Sequence, residues 1–241
     1  MCYDVLFIKY VVRSRNRVLH NDTLVKSNME KDTIYDRVSS IIRIKLARGY
    51  EMEYMGNKEY WNEKFNNRSD NPLSPEKSLV DNIRYFNKGT VLDIACGDGR
   101  NALFLLENGF NVTGIDFISQ ALERLNMFSK RKGYIVNTMQ VDLSIPYSLD
   151  NIGVFDNIVI NHYRLNKQQL ANIEKHLTNN GILFISGFGH KHKVNSKIKK
   201  EDLIQPNDFE DIKKSFDLVK YNEIQDERGF FVTYIFRIRK S

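Results

Sequence analysis

The sequence predicts an α/β fold: a doubly wound sheet, mostly parallel, that ends in an antiparallel strand, with seven strands in all. Three observations predict it. From Lys88 onward, short apolar runs alternate with amphipathic stretches, the rhythm of parallel strands joined by crossover helices. A glycine-rich turn, Cys96-Gly97-Asp98-Gly99, joins the first of these runs to the first helical stretch. The last two strand-like runs are separated only by Gln225 to Gly229, too short for a crossover helix and right for a hairpin.

The elements follow in order. Val91-Leu92-Asp93-Ile94-Ala95 reads as the first strand, and the helix after the turn carries Ala102, Leu103, Leu105 and Leu106, with Gly109 as its C-terminal stop. Val112 to Asp116 is the second strand, and Gln120 to Lys132 the second helix, closed by Gly133. Tyr134 to Val141 gives the third strand, Phe155 to Ile160 the fourth, Lys167 to Leu177 a helix, and Gly181 to Ser186 the fifth strand. Leu218 to Ile224 and Phe230 to Ile238 form the closing hairpin. Consecutive β–α–β units of this length imply right-handed crossovers.

Composition narrows the class. Of 241 residues, 41% are hydrophobic and 27% charged, which excludes wholesale disorder. No apolar run approaches the roughly 18 residues of a membrane span, and Val5 to Ile8 runs straight into Lys9, Tyr10 and Arg13, unlike a signal peptide. Cys2 and Cys96 make no disulfide framework and nothing resembles a metal knuckle, so a reducing, cytoplasmic setting and no metal site are expected. The net charge of +6 is spread along the chain except at His190-Lys191-His192-Lys193 through Lys197, Lys199 and Lys200. That stretch reads as a solvated loop, with nucleic acid a less favoured partner.

Residues 1–54 do not follow the rhythm. They hold a strand-like run, Val5 to Val12, and Ile34, Val38, Ile41 and Ile42 at helical spacing. They read as a small cap, or as a segment upstream of a true start at Met52 or Met55. Arg48-Gly49 can be encoded by a purine run like a bacterial ribosome-binding site, with Tyr50-Glu51 as its spacer. The main domain is therefore expected over 55–241.

The motif that carries chemistry is Val91-Leu92-Asp93-Ile94-Ala95-Cys96-Gly97-Asp98-Gly99-Arg100-Asn101. A glycine turn from strand to helix lets the backbone approach a ligand and leaves amide groups unpaired at the helix start. Asp116, at the end of the second strand, is placed to accept from both hydroxyls of a ribose. Gly97-x-Gly99-x-x-Ala102 also satisfies a dinucleotide fingerprint, so NAD stands as an alternative. Asp93 favours S-adenosylmethionine, because a carboxylate there suits a cationic amino-acid end and is awkward beside a pyrophosphate. Asp142, which can accept from an adenine amino group, and the antiparallel last strand point the same way.

These residues resemble the class I S-adenosylmethionine-dependent methyltransferases, over roughly Lys58 to Lys240. The likeness is greatest to the bacterial tellurite-resistance and thiopurine type acting on small molecules. Tyr60-Trp61-Asn62-Glu63-Lys64-Phe65 is similar to the aromatic element that precedes the domain there, and Cys96-Gly97-Asp98-Gly99-Arg100-Asn101-Ala102 to its turn signature. The resemblance implies a Rossmann-like sheet with S-adenosylmethionine as cofactor. It implies that Ala95, Cys96 and Gly97 pass under the methionine part, with Asp93 and Gly99 in the same motif. Arg100 and Asn101 would lie near the methionine carboxylate. Asp116 would hold the ribose with Phe117 beside it, Asp142 and Leu143 would bracket the adenine, and Tyr60 and Trp61 would close over the site. Ala95 stands where the class usually has a glycine, and Asn62 where the leading element usually has an acid.

Methyl transfer from a sulfonium is an in-line displacement, so alignment and water exclusion matter more than an elaborate set of catalytic groups. Asn161-His162-Tyr163-Arg164, after the fourth strand, should face the methyl, with His162 as a base and Tyr163 as a wall. His162-Tyr163 stand in place of the two prolines that amino-methylating enzymes carry there, and no Pro-Cys pair stands ready to attack a pyrimidine. Cys96 reads as a small turn residue, His190 and His192 lack the company a metal needs, and His176 is expected to face solvent. The aromatic stripe Phe230, Phe231, Tyr234 and Phe236 reads as packing. A small-molecule acceptor is favoured: tellurite or selenite species, thiols, or a bacterial metabolite, handled by a monomer or homodimer. The alternatives are an RNA or protein methyltransferase using the Lys191–Lys200 loop, and a non-catalytic cofactor-binding module.

Overall fold

The computed structural model describes residues 58–195 and 197–239. The expected extension over 1–54, its two element-like stretches and the start at Met52 or Met55 lie outside the described residues.

Helix α1 (Lys58–Asn66) and the short α2 (Lys77–Val80) lead into strand β1 (Thr90–Ile94). Then come α3 (Arg100–Glu107), β2 (Asn111–Asp116), α4 (Ser119–Arg131), β3 (Asn137–Gln140), β4 (Phe155–Asn161), α5 (Lys167–Asn172), β5 (Leu177–Phe188), β6 (Phe216–Asp226) and β7 (Gly229–Ile238). The seven strands form one sheet in the order β3-β2-β1-β4-β5-β7-β6. β1 runs parallel to β2 and β4, β2 to β3, and β4 to β5, while β7 is antiparallel to both β5 and β6. The expected fold class, with its terminal hairpin, is what forms.

Alternation along the central strands sends side chains to two cores. Leu92 and Ile94 join Ile158, Ile160, Leu183 and Ile185 on the face covered by α5 and the short turns after β5. Val91, Val112, Val159 and Phe184 join Leu105, Leu125 and Phe128 of α3 and α4 on the other. Strands covered on both faces read as near-continuous apolar runs, which is why β1 and β4 were legible.

The edges and joints differ from expectation. β3 is shorter than 134–141, because Tyr134 N still donates to Ser129 O at 2.9 Å at the end of α4 and Ile135 is exposed. The helix expected over 167–177 is α-helical only to Asn172. It opens with a capping box between Asn166 and Gln169 and tightens into a 3-10 turn over Ile173–His176. His176 is consequently buried, its Nδ1 2.9 Å from Gly153 O, rather than facing solvent. The tighter winding turns it off the face that a continued α-helix would present. β5 starts at Leu177, ahead of Gly181, because Phe155 pairs with Leu177 before a register shift at Asn180, where φ is +62°.

Sheet order reverses between β1 and β4, so a crevice opens at the carboxyl ends of β1, β2 and β4, where Ile94, Asp116 and Asn161 stand side by side.

Candidate cofactor site

The chain leaves β1 through three left-handed residues: Ala95 (φ +56°), Gly97 (+56°) and Gly99 (+87°). Gly99 caps α3, and a Cβ there would fall 2.2 Å from Leu125 Cδ1. A Cβ on Gly97 would lie 3.2 Å from the ring of Phe65, which packs over the turn from α1. Ala95 holds the left-handed conformation without glycine's freedom, at about 1 kcal/mol.

Three buried carboxylates surround this turn. Asp93 points from β1 with Oδ2 buried and unpartnered. Burial, helped by the negative charge of Asp116 and opposed by the Ala102 N–H, pushes its carboxyl up to about 8. Asp116 accepts from Gly97 N at Oδ2 and from Ile118 N at Oδ1, both at 2.9 Å. Burial raises it above the usual range, while those backbone donors oppose the rise. Asp98 is paired with Arg68 at 2.6 Å and Arg124 at 3.4 Å.

A cavity of about 350 Å³ opens on the turn, within the size range of small-ligand sites. Of the residues the sequence singled out, Trp61, Asp93, Ala95, Cys96, Gly97, Arg100, Asn101, Asp116, Asn161, His162 and Tyr163 line it. The other five take different places. Tyr60 is exposed, edge-on to Trp61 at 5.4 Å. Gly99 turns the chain behind the cavity wall. Phe117 packs against Phe65, Ile118 and Ala121, and its carbonyl accepts from Gln140 Nε2. Asp142 Oδ1 accepts from both the N–H and the hydroxyl of Ser144, at 2.9 and 2.6 Å. Leu143 is buried in the core under β4.

Arg100 and Asn101 do something unforeseen: they hold the segment before α2. Arg100 Nε donates to Ser74 O at 2.7 Å and its guanidinium pairs with Glu76, whose backbone N–H donates to Asn101 Oδ1 at 3.0 Å. Glu76 is 4% exposed and also meets Arg228 at 3.2 Å and His162 Nε2 at 3.0 Å. Burial would raise its carboxyl. The hydrogen bond and charge of His162, with the two guanidiniums, outweigh burial and hold it at about 2.

His162 has φ +57° and is fixed by its own N–H to Ser186 O at 2.8 Å. Its ring lies 5.5 Å from Phe188 and 5.8 Å from Phe231, and Nδ1 is buried without a partner. An ionised Glu76 requires Nε2 to carry the proton and donate. Asn161 Oδ1 is likewise buried and unpartnered.

Sequence reasoning missed Glu76, Lys64, Phe65, Arg68, Phe188 and Arg228 as site residues. One signal was there: Trp61, Lys64 and Phe65 stand at helical spacing on one face of α1, Arg68 follows just past its end, and all four line the cavity. Glu76 lies in a polar loop with no pattern, and Arg228 in the hairpin turn, whose proximity only the β7-β6 pairing creates. The basic loop is also less free than its composition suggests. Lys191 pairs with Glu223 at 2.7 Å, while His192 is buried and accepts from Phe230 N at 3.1 Å. No helix among the described residues is long and apolar enough to cross a membrane.

Comparison with known proteins agrees with the fold. The family model described as tellurite resistance protein TehB matches residues 53–229. A Rickettsia conorii protein named ubiquinone biosynthesis O-methyltransferase is 31% identical over 127 residues, 51% of this chain and 42% of that protein. The chain spans about half the length or less of the first curated relatives it matches. The crystal structure of TehB from Haemophilus influenzae superposes with a TM-score of 0.57 at 22% identity, covering 76% of this chain and 67% of that one. The N-methyltransferase NodS of Bradyrhizobium japonicum, solved with S-adenosyl-L-homocysteine, gives 0.54 at 16% identity, covering 81% and 100%.

Proposed function

Because the chain belongs to the TehB family of class I S-adenosylmethionine-dependent methyltransferases, we propose that it transfers the methyl group of S-adenosylmethionine to a small-molecule acceptor. The observation that carries this reading is the cavity at the carboxyl ends of β1, β2 and β4. Asp93 and Asp116 lie on its wall, and the left-handed Ala95–Gly97 backbone forms its floor.

The residues present fit the cofactor. The unpartnered Asp93 Oδ2 suits a ligand ammonium, and Asp116 keeps lone pairs for ribose hydroxyls beyond those used by Gly97 and Ile118. Trp61 covers the ligand from α1, with Tyr60 beside it. Asp142 and Leu143 close the adenine end once Asp142 shares its carboxylate between Ser144 and the ligand. S-adenosylmethionine supplies a methyl on a sulfonium, already activated for displacement. The chain's task is then to align the acceptor and exclude water. Phe188, Phe231 and Tyr163 wall the acceptor side, and Arg228 and His162 bring polarity to it.

The named activity of the Rickettsia relative favours an oxygen nucleophile, and the family's description favours a tellurite species; selenite and thiols complete the set. Incubation with methyl-labelled S-adenosylmethionine and a panel of tellurite, selenite, thiols and phenols should move label into at least one of them. Label that enters only RNA or protein would replace this reading with one using the Lys191–Lys200 loop. Cofactor binding with no transfer to any of these acceptors would make the chain a binding module.

A further inference from the structure

Four cations line the cavity: Lys64, Arg68, Arg100 and Arg228. Three are committed to carboxylates: Arg68 to Asp98, Arg100 to Glu76, and Arg228 to Glu76 and Asp226. Lys64 is different. Among the described residues it has no ion-pair partner, and its ammonium lies over the rings of Trp61 at 4.2 Å and Tyr60 at 5.6 Å. It is half-buried, and burial, with the positive charges of Arg68 and Lys197, lowers its pKa against the weaker pull of Asp98. A half-desolvated cation with like charges beside it is relieved by an anion.

The proposed cofactor carries one anionic group, the methionine carboxylate. The residues that the family resemblance assigned to it, Arg100 and Asn101, are engaged with Ser74 and Glu76. Asp93 faces the cavity with a free acceptor for the neighbouring ammonium. A zwitterion therefore finds one complementary group on β1 and the other on α1. The aromatic cover over Lys64 shields that pair from water and strengthens it.

We propose that Lys64 binds the carboxylate of the cofactor's methionine end. This assignment rests on the methyltransferase reading.

The test is calorimetric titration of the wild-type chain, Lys64→Met and Lys64→Arg with S-adenosylhomocysteine and with 5′-methylthioadenosine, which lacks the amino-acid end. Thermal unfolding of each variant checks its fold. The expected result is a loss of roughly ten- to a hundredfold in affinity for S-adenosylhomocysteine in Lys64→Met, the range of a charged hydrogen bond. Lys64→Arg should retain most of that affinity, and 5′-methylthioadenosine should bind all three alike. Equal affinity of Lys64→Met and wild type for S-adenosylhomocysteine would overturn the assignment. So would a parallel loss for both ligands, which would mark Lys64 as a packing residue of α1. Failure of the wild type to bind either ligand would instead remove the methyltransferase reading, and the assignment with it.

Discussion

Ala95 and Asp93 show how much of the site's physics rests on single residues. Ala95 adopts φ +56° where glycine is at home, so Ala95→Gly relieves a left-handed strain that exceeds the extra freedom glycine brings to the unfolded chain. Urea unfolding should show a gain of about 0.5–1 kcal/mol. Asp93, raised to about 8 by burial, is largely protonated at neutral pH without ligand, and a cationic amino group favours its ionised form. Affinity for S-adenosylhomocysteine should therefore rise between pH 6 and 8 and level off above, by up to about tenfold per unit; in Asp93→Asn that slope should vanish. The linkage sign for folding is the reverse. The folded chain holds a proton that the unfolded chain has lost above its ordinary carboxyl value, so this residue makes stability fall as pH rises from about 4 towards 8. Asp93→Asn should flatten that fall in denaturant midpoints. His162 is the third such residue. With Nε2 on Glu76 and Nδ1 buried without a partner, its ring lines the cavity as the candidate base for an acceptor that arrives protonated. His162→Ala should then depress turnover of phenols more than that of thiols already ionised; equal turnover for both would remove the base role.

At the scale of elements, the site is held by segments far apart in sequence. Glu76 joins the loop before α2 to α3 through Arg100, to the end of β4 through His162 and to the β6–β7 turn through Arg228. Removing one partner of a buried pair leaves the others unpaired. Glu76→Ala should cost about 1–2 kcal/mol, reduced from the fully buried case because both arginines are partly exposed. Glu76→Gln should lose less, since its amide oxygen still accepts; urea midpoints of the two variants make the comparison. Equal losses would mean that the hydrogen bonds to Glu76 contribute nothing. The central strands, the glycine turn and the hairpin could be read from sequence because their signals are local: two-sided apolar runs, left-handed glycines, a five-residue gap. Glu76 and Arg228 could not, since their roles exist only once the α2 loop and the terminal hairpin converge, and Lys64 showed only as a member of the α1 face. His176 was misread because a four-residue 3-10 turn leaves no mark on an apolar spacing.

For the whole molecule, topology explains why the chemistry sits where it does. The order β3-β2-β1-β4-β5-β7-β6 brings together the carboxyl ends of the three strands that carry Asp93, Asp116 and Asn161, and α1 closes the crevice they open. The sequence set Asp93 in the first strand and Asp116 at the end of the second, and both line that crevice. It left the opposite side of the cavity unread, because Phe188 and Phe231 reach it from strands whose pattern reports only packing and Arg228 from the turn between β6 and β7. The most direct measurement of the central claim is calorimetric titration of the purified chain with S-adenosylmethionine, S-adenosylhomocysteine and NAD, repeated on Asp116→Ala. Binding of the first two, weakened at least about tenfold in the variant by loss of the ribose acceptor, is the predicted result. Binding of NAD alone would contradict it and make the glycine turn a dinucleotide site.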